Sequence, residues 1–141
     1  MLIDLQKAAR STKWQSADGR YLTIHEMHTS HLLNTAKMLF NHMLMAHPEG
    51  NEDKHRVLMG RAYPSIERRC LEQPREMLMY LAIMLDQLQR RELLETERRL
   101  VMDILSQLIS RYDREPNSKF FSAISEKRLS PPSALMPTCA D

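Results

Sequence analysis

His25, His28 and His31 form the one close histidine cluster in the chain, and the run His25-Glu26-Met27-His28 places a glutamate beside the first of them. A catalytic zinc helix needs two histidines four residues apart on one face, with a glutamate next to the first. Here the spacing is three, and the run straddles a change from strand-like to helix-like apolar spacing, so the imidazoles do not converge and no metal site is expected. His25 and His28 are expected on the surface. His31 is expected to bond back across a preceding hairpin, with Asn34 one turn later. His42, His47 and His55 are scattered and are also expected at the surface.

Three arginine doublets, Arg68-Arg69, Arg90-Arg91 and Arg98-Arg99, offer a second kind of chemistry. The planar guanidinium fork matches carboxylates and phosphates, so doublets at helix ends can gather into one anion-binding face, and these six are the candidate partner-binding residues. A bland reading competes with it. Glu67, Glu92, Glu95 and Glu97 stand close enough in sequence to pair with them on a solvated surface, and Arg90 and Arg91 also suit the C-terminal end of a helix dipole. On the sharper reading, charge reversal at Arg90 and Arg91 abolishes partner binding in a protein that stays folded. No catalytic residue is nominated. The three glycines, at 19, 50 and 60, make no phosphate loop, Cys70 and Cys139 have no paired spacing, and no two carboxylates are set against each other. No cofactor is expected, and Cys70 reads as a small hydrophobe.

The stretch Trp14 to Asn34 must position much of this. Asp18-Gly19 suits a tight turn, because glycine tolerates positive φ and aspartate bonds nearby backbone amides. Leu22 and Ile24 alternate as a strand does, and after Met27 the apolar spacing lengthens to three or four, as in a helix. Thr29 or Ser30 is the expected helix cap. A hairpin spanning Lys13 to Ile24 cannot stand alone, so Trp14, Leu22 and Ile24 are expected to lie against the apolar stripe of a helix from Ser30 to Ala46.

The same stretch resembles a pattern of short phage and prophage proteins, Trp-x-Ser/Thr-x-Asp-Gly-x-x-Leu/Ile-x-Ile-x-x-Met-x-x-x-His-Leu-x-Asn. Its fixed positions are met by Trp14, Ser16, Asp18, Gly19, Leu22, Ile24, Met27, His31, Leu32 and Asn34. The run from Leu85 to Leu93 is loosely similar to a Leu-x-x-x-Arg-Arg-x-Leu ending found in such proteins. The helix and tail after Leu93 depart from the pattern. The resemblance implies a phage-type protein acting in the cytoplasm of a bacterial host, and it names no activity.

Beyond the hairpin the chain reads as helices. A short amphipathic lead-in, with Leu2, Leu5 and Ala9 on one side, is expected to pack only weakly. Short helices follow at Glu52 to Ala62 and Pro64 to Leu71, then a strong one from Arg75 to Arg91, opened by Pro74. Thr96 is the expected cap of a last helix, Glu97 to Tyr112, with Val101, Ile104, Leu105, Leu108 and Tyr112 on its core face. The short link between the last two helices favours a helical hairpin. Phe120, Phe121 and Ile124 can form a final apolar patch. The fold class is therefore mainly α: an N-terminal β-hairpin packed on a small helical bundle, a C-terminal helical hairpin and a flexible tail. Residues 1–116 read as a single domain, with 13–47 the hairpin and first long helix, 52–72 the short helices and 75–115 the helical hairpin. Residues 117–141 read as an extended or partly disordered tail.

Composition narrows the partners. Twenty Lys and Arg against eighteen Asp and Glu give a net charge of +2, too small to declare a nucleic-acid binder and too basic to imitate DNA by acidity. The longest apolar run, Met77 to Leu85, is nine residues, whereas a membrane span needs about 20. The opening MLIDLQKAAR has no long hydrophobic region and does not read as a secretory signal. Eleven methionines either fill an irregular core or make an adaptable contact face, with the 75–91 helix the place to look. The expected function is a non-enzymatic phage-type protein that inhibits a bacterial defence complex, in the manner of an anti-CRISPR protein, by stoichiometric contact with a host or viral macromolecule, a protein in the first instance. Two alternatives stand beside it: a nucleic-acid-binding regulator using the arginine doublets, and a homo-oligomeric nucleotide sponge.

Overall fold

The computed structural model describes residues 4–16, 18–46, 63–113 and 121–124. It is mainly helical, with one two-stranded antiparallel hairpin near the N-terminus packed against helices. Two compact units divide the chain, Met1–Arg91 and Glu92–Asp141.

The first unit opens with helix α1, Leu5–Ser11, where the Asp4 carboxylate accepts the Lys7 N–H at 3.0 Å and so caps the first turn. Leu5 and Ala9, one turn apart, are buried. This helix packs extensively on a later helix, so the expectation of weak packing was wrong: two small apolar contacts on one face suffice to seat it. Strands β1, Lys13–Gln15, and β2, Tyr21–Thr23, follow in the register Lys13↔Thr23, Trp14↔Leu22 and Gln15↔Tyr21. Their connection turns where the sequence predicts. Gly19 has φ +89°, and an added Cβ would meet nothing within 4 Å, so glycine is required there by torsion and not by space. Asp18 accepts the Arg20 N–H at 3.0 Å and pairs with its Nε at 2.8 Å, and the backbone bond to Arg20 leads the effects that lower the Asp18 pKa.

The strand does not run straight into a helix. One 3₁₀ turn, Ile24–Glu26, intervenes, closed by a reciprocal cap in which Thr23 Oγ1 accepts the Glu26 N–H at 3.3 Å and Glu26 Oε1 accepts the Thr23 N–H at 2.9 Å. That backbone bond is also the main cause lowering the Glu26 pKa. The turn redirects the chain by one step, burying Ile24 and Met27 and ending the hairpin at Thr23, before Ile24. Helix α2 then covers Thr29–Ala46, with the Leu32 N–H donating to the His28 carbonyl at 2.8 Å. Thr29 and Ser30 are its first two residues, so neither is the cap. Leu32, Ala36, Leu39, Phe40, Met43 and Leu44 are buried along it.

Helices α3, Pro64–Glu72, and α4, Pro74–Gln89, each begin with proline, which supplies helical φ where no N–H partner is needed. Within the unit α4 is central, packing against α1, α2, α3 and the 3₁₀ turn. Every residue from Leu81 to Gln89 is buried. Met77, Leu81, Met84 and Leu88 are fully buried, so the heptad-spaced row of this helix is core, while Leu78 and Met79 are half-buried. His42, expected at the surface, is fully buried as well. Its Nδ1 donates to the Met38 carbonyl at 2.8 Å and its Nε2 accepts the Tyr63 N–H at 3.0 Å, so a neutral ring fixes the residue ahead of α3 onto α2. Cys70 is buried, as a small hydrophobe would be, and desolvation pushes its thiol up to about 11.

The second unit is built on α5, Glu95–Tyr112, which buries Val101, Ile104, Leu105 and Leu108. It starts before the expected cap at Thr96, and Glu97 Oε1 accepts the Leu94 N–H at 2.8 Å. Residues 121–124 form a helical turn with Phe121 and Ile124 buried, and the Asp113 carboxylate accepts the Phe121 and Ser122 N–H groups at 3.3 and 2.7 Å. The division between units, after Arg91, falls inside the link between the two helices expected to form a hairpin. The helix expected at 52–62, and the tail apart from 121–124, lie outside the described residues.

Candidate functional site

Two clefts open on the first unit, and each is lined in part by residues the sequence singles out. The larger, about 750 Å³, lies between the hairpin, α2 and the start of α3. Trp14, Ser16 and Gly19 line it from the hairpin, His31, Asn34 and Met38 from α2, and Tyr63, Ile66 and Arg69 from the other side. β1 sets the alternation that turns Trp14 inward, and the 3₁₀ turn sets the phase of α2 that brings His31 and Asn34 to the rim. Trp14 is 5% exposed and meets Tyr80 of α4 edge to face, with ring centroids 5.3 Å apart at 76°. Tyr80 in turn lies under the Arg69 guanidinium, 5.4 Å from the ring centroid, and Arg69 Nη2 pairs with Glu76 Oε1 at 2.6 Å. An aromatic floor and a tethered cation thus sit in one groove.

The ten positions of the phage-like pattern divide in a telling way. Ile24, Met27 and Leu32 are buried in the core, Leu22 is half-buried in β2 and Asp18 holds the turn. The other five, Trp14, Ser16, Gly19, His31 and Asn34, all line the groove. Among the described residues His31 makes no hydrogen bond to the hairpin, contrary to the expectation. Instead its half-buried ring and the exposed Asn34 face the groove. The Ser16 hydroxyl is buried there without a hydrogen-bond partner among the described residues.

The smaller cleft, about 480 Å³, is bounded by α1, the 3₁₀ turn with the start of α2, and the end of α4. Its centre is Arg91. Nη1 donates to the Met27 carbonyl at 2.6 Å, with Thr29 Oγ1 at 3.4 Å, and Nη2 donates to the His25 carbonyl at 3.0 Å. All three acceptors are neutral, and burial lowers the Arg91 pKa by opposing its charged form. Arg90 beside it pairs through Nε with Asp86 Oδ2 at 2.9 Å, a carboxylate that is itself buried. His25 Nδ1 donates to Gln87 Oε1 at 3.2 Å. His25 and His28 are exposed, as expected.

The arginine candidates therefore do different things. Arg69 belongs to the larger groove and Arg90 and Arg91 to the smaller cleft, so within the first unit they do not form one face. Arg68 is exposed on α3. In the second unit Arg98 is half-buried, and Arg99 pairs with Glu95 at 3.3 Å on the surface. Arg91 and Arg90 also hold internal partners, so reversing both charges would break the fold locally and could not separate binding from folding. The sequence reading missed Arg91 as an internal clasp, for which no local signal exists because its acceptors lie more than sixty residues away. It also missed the 3₁₀ turn, whose Thr23-x-x-Glu26 capping signature was readable.

Among the described residues no group of three His, Cys, Asp or Glu side chains could hold a metal ion, and no helix is long and apolar enough to cross a membrane. No protein-family model, curated protein or solved structure matches this chain.

Proposed function

We propose that this protein is a non-enzymatic, phage-type binding protein that inhibits a bacterial defence complex, in the manner of an anti-CRISPR protein, and that the hairpin groove is the surface it presents to a protein partner. One observation carries the reading: five of the ten pattern positions, Trp14, Ser16, Gly19, His31 and Asn34, line one open groove. Its chemistry suits a protein segment. Trp14, Met38 and Ile66 give an apolar floor, while Ser16, His31, Asn34 and Arg69 offer polar groups at the sides. Rigid aromatics and arginines dominate interface energies, and Tyr63, 40% exposed, with Arg69 supplies one of each on the groove wall. The partner resides in the cytoplasm of the bacterial host on this reading.

The test is affinity capture from a bacterial host lysate with the full chain and with two variants, Asn34→Arg and Ser65→Arg, which fill the groove from exposed positions without touching the core. Capture of a defence-complex subunit by the unmodified chain, lost in both variants, supports the proposal. Equal capture by all three removes the groove from the function. A nucleic-acid role is favoured by the cationic character of the smaller cleft, and steep salt dependence of oligonucleotide binding would distinguish it.

A further inference from the structure

We infer that the smaller cleft is a binding site for a phosphate group carried on a small molecule. Its walls carry Arg90, Arg91, His25 and His28 together with the side-chain amides of Gln6 and Gln87, and among the described residues no carboxylate lines it. Arg91 is the anchor. A guanidinium has five N–H donors. Three of the Arg91 contacts are to neutral oxygens, so two N–H groups and the whole of its charge stay uncompensated among the described residues. None of the four ion pairs among those residues includes Arg91. Arg90 is a weaker contributor, since Asp86 offsets its charge, yet its side chain is 38% exposed at the rim.

The clasp explains why the site is rigid. By holding the carbonyls of His25 and Met27, Arg91 fixes the turn that carries His25 and the step that leads to His28, and it touches Thr29, the first residue of α2. That helix has no acidic residue in its first turn, so its N-terminal amides and dipole add to the positive field and are not offset by a side chain. A phosphate dianion satisfies a guanidinium edge and imidazole or amide donors together, which a carboxylate with two oxygens does less completely. At about 480 Å³ the cleft has room for a phosphate and a substituent of modest size.

Inorganic phosphate and adenosine monophosphate, as probes, separate the group from its carrier, and adenosine serves as the control. Calorimetry on the full chain at low salt should show both phosphate probes binding and competing for one site, with adenosine silent. His28→Glu and Gln6→Glu each place a carboxylate in the cleft at exposed positions that make no internal side-chain hydrogen bond among the described residues. Each should weaken phosphate binding at least tenfold with an unchanged melting temperature, whereas Asn34→Arg in the other groove should leave it intact. Absence of binding at millimolar phosphate overturns the inference. So does binding that both variants retain, or binding of an oligonucleotide that phosphate and adenosine monophosphate fail to displace, which would make the cleft part of a nucleic-acid surface.

Discussion

Replacing Arg91 by alanine should destabilise the first unit, and the structure allows the size of the effect to be worked out. Two of its contacts, at 2.6 Å to the Met27 carbonyl and 3.0 Å to the His25 carbonyl, are short enough to count, while the 3.4 Å approach to Thr29 contributes little. Hydrogen bonds with one charged member contribute roughly 1.5–3 kcal/mol each. Both carbonyls border an open cleft and can be rehydrated once the guanidinium is gone, and removing a desolvated charge relieves part of its penalty. The net loss is then about 2–3 kcal/mol, which lowers the melting point by roughly 10 °C at about 4 °C per kcal/mol for a unit of this size. Arg91→Lys should recover part of it, because an ammonium can reach one carbonyl but cannot bridge two with a planar fork. Arg68→Ala, on an exposed face, should stay within about 0.5 kcal/mol of the parent. Urea unfolding of the three variants decides the matter. An Arg91→Ala protein as stable as Arg68→Ala would refute the clasp and return Arg91 to the pool of free contact residues.

Trp14→Ala should cost about 3–5 kcal/mol, since the indole is buried and its edge-to-face contact with Tyr80 goes with it; chemical denaturation measures this. His42→Ala should cost about 1–3 kcal/mol by leaving the Tyr63 N–H and the Met38 carbonyl without their ring partner, read in the same assay. Cys70 should resist a thiol reagent until the protein unfolds. Desolvation raises its pKa from 9.0 to about 11, with Glu67 adding to the effect and Arg69 opposing it. The unfolded chain then releases its proton first, so the Cys70 contribution is whole below pH 9 and is lost as pH rises toward 11, by something on the order of 2–3 kcal/mol; comparison with Cys70→Ala across that range isolates it.

Periodicity and turn chemistry carried the sequence reading furthest. Asp18-Gly19 specified the hairpin turn, Pro64 and Pro74 specified two helix starts, and the apolar rows on α2 and α5 marked their buried faces, because each of these is a local property of the backbone. The errors came from long-range packing. Nothing near His42 in sequence announces that Tyr63 will donate to it, so a buried neutral histidine looked like a surface one. α1 looked weakly attached because its two buried side chains are few, yet α4 lies against it. The groove is half visible in the sequence: Trp14, His31 and Asn34 belong to one motif, but the opposing wall of Tyr63, Ile66 and Arg69 joins them only through tertiary packing. The arginine doublets divide for a related reason, since residues adjacent in sequence point in different directions at a helix end, and one member can be internal while its neighbour is not.

The central claim, that the hairpin groove is the partner surface, is tested most directly by the affinity of the captured partner for Asn34→Arg measured against the parent chain by calorimetry, with melting temperatures taken on both. A loss of at least tenfold in affinity at an unchanged melting temperature is the predicted result. Equal affinities for the two proteins would contradict it and place the contact elsewhere on the molecule.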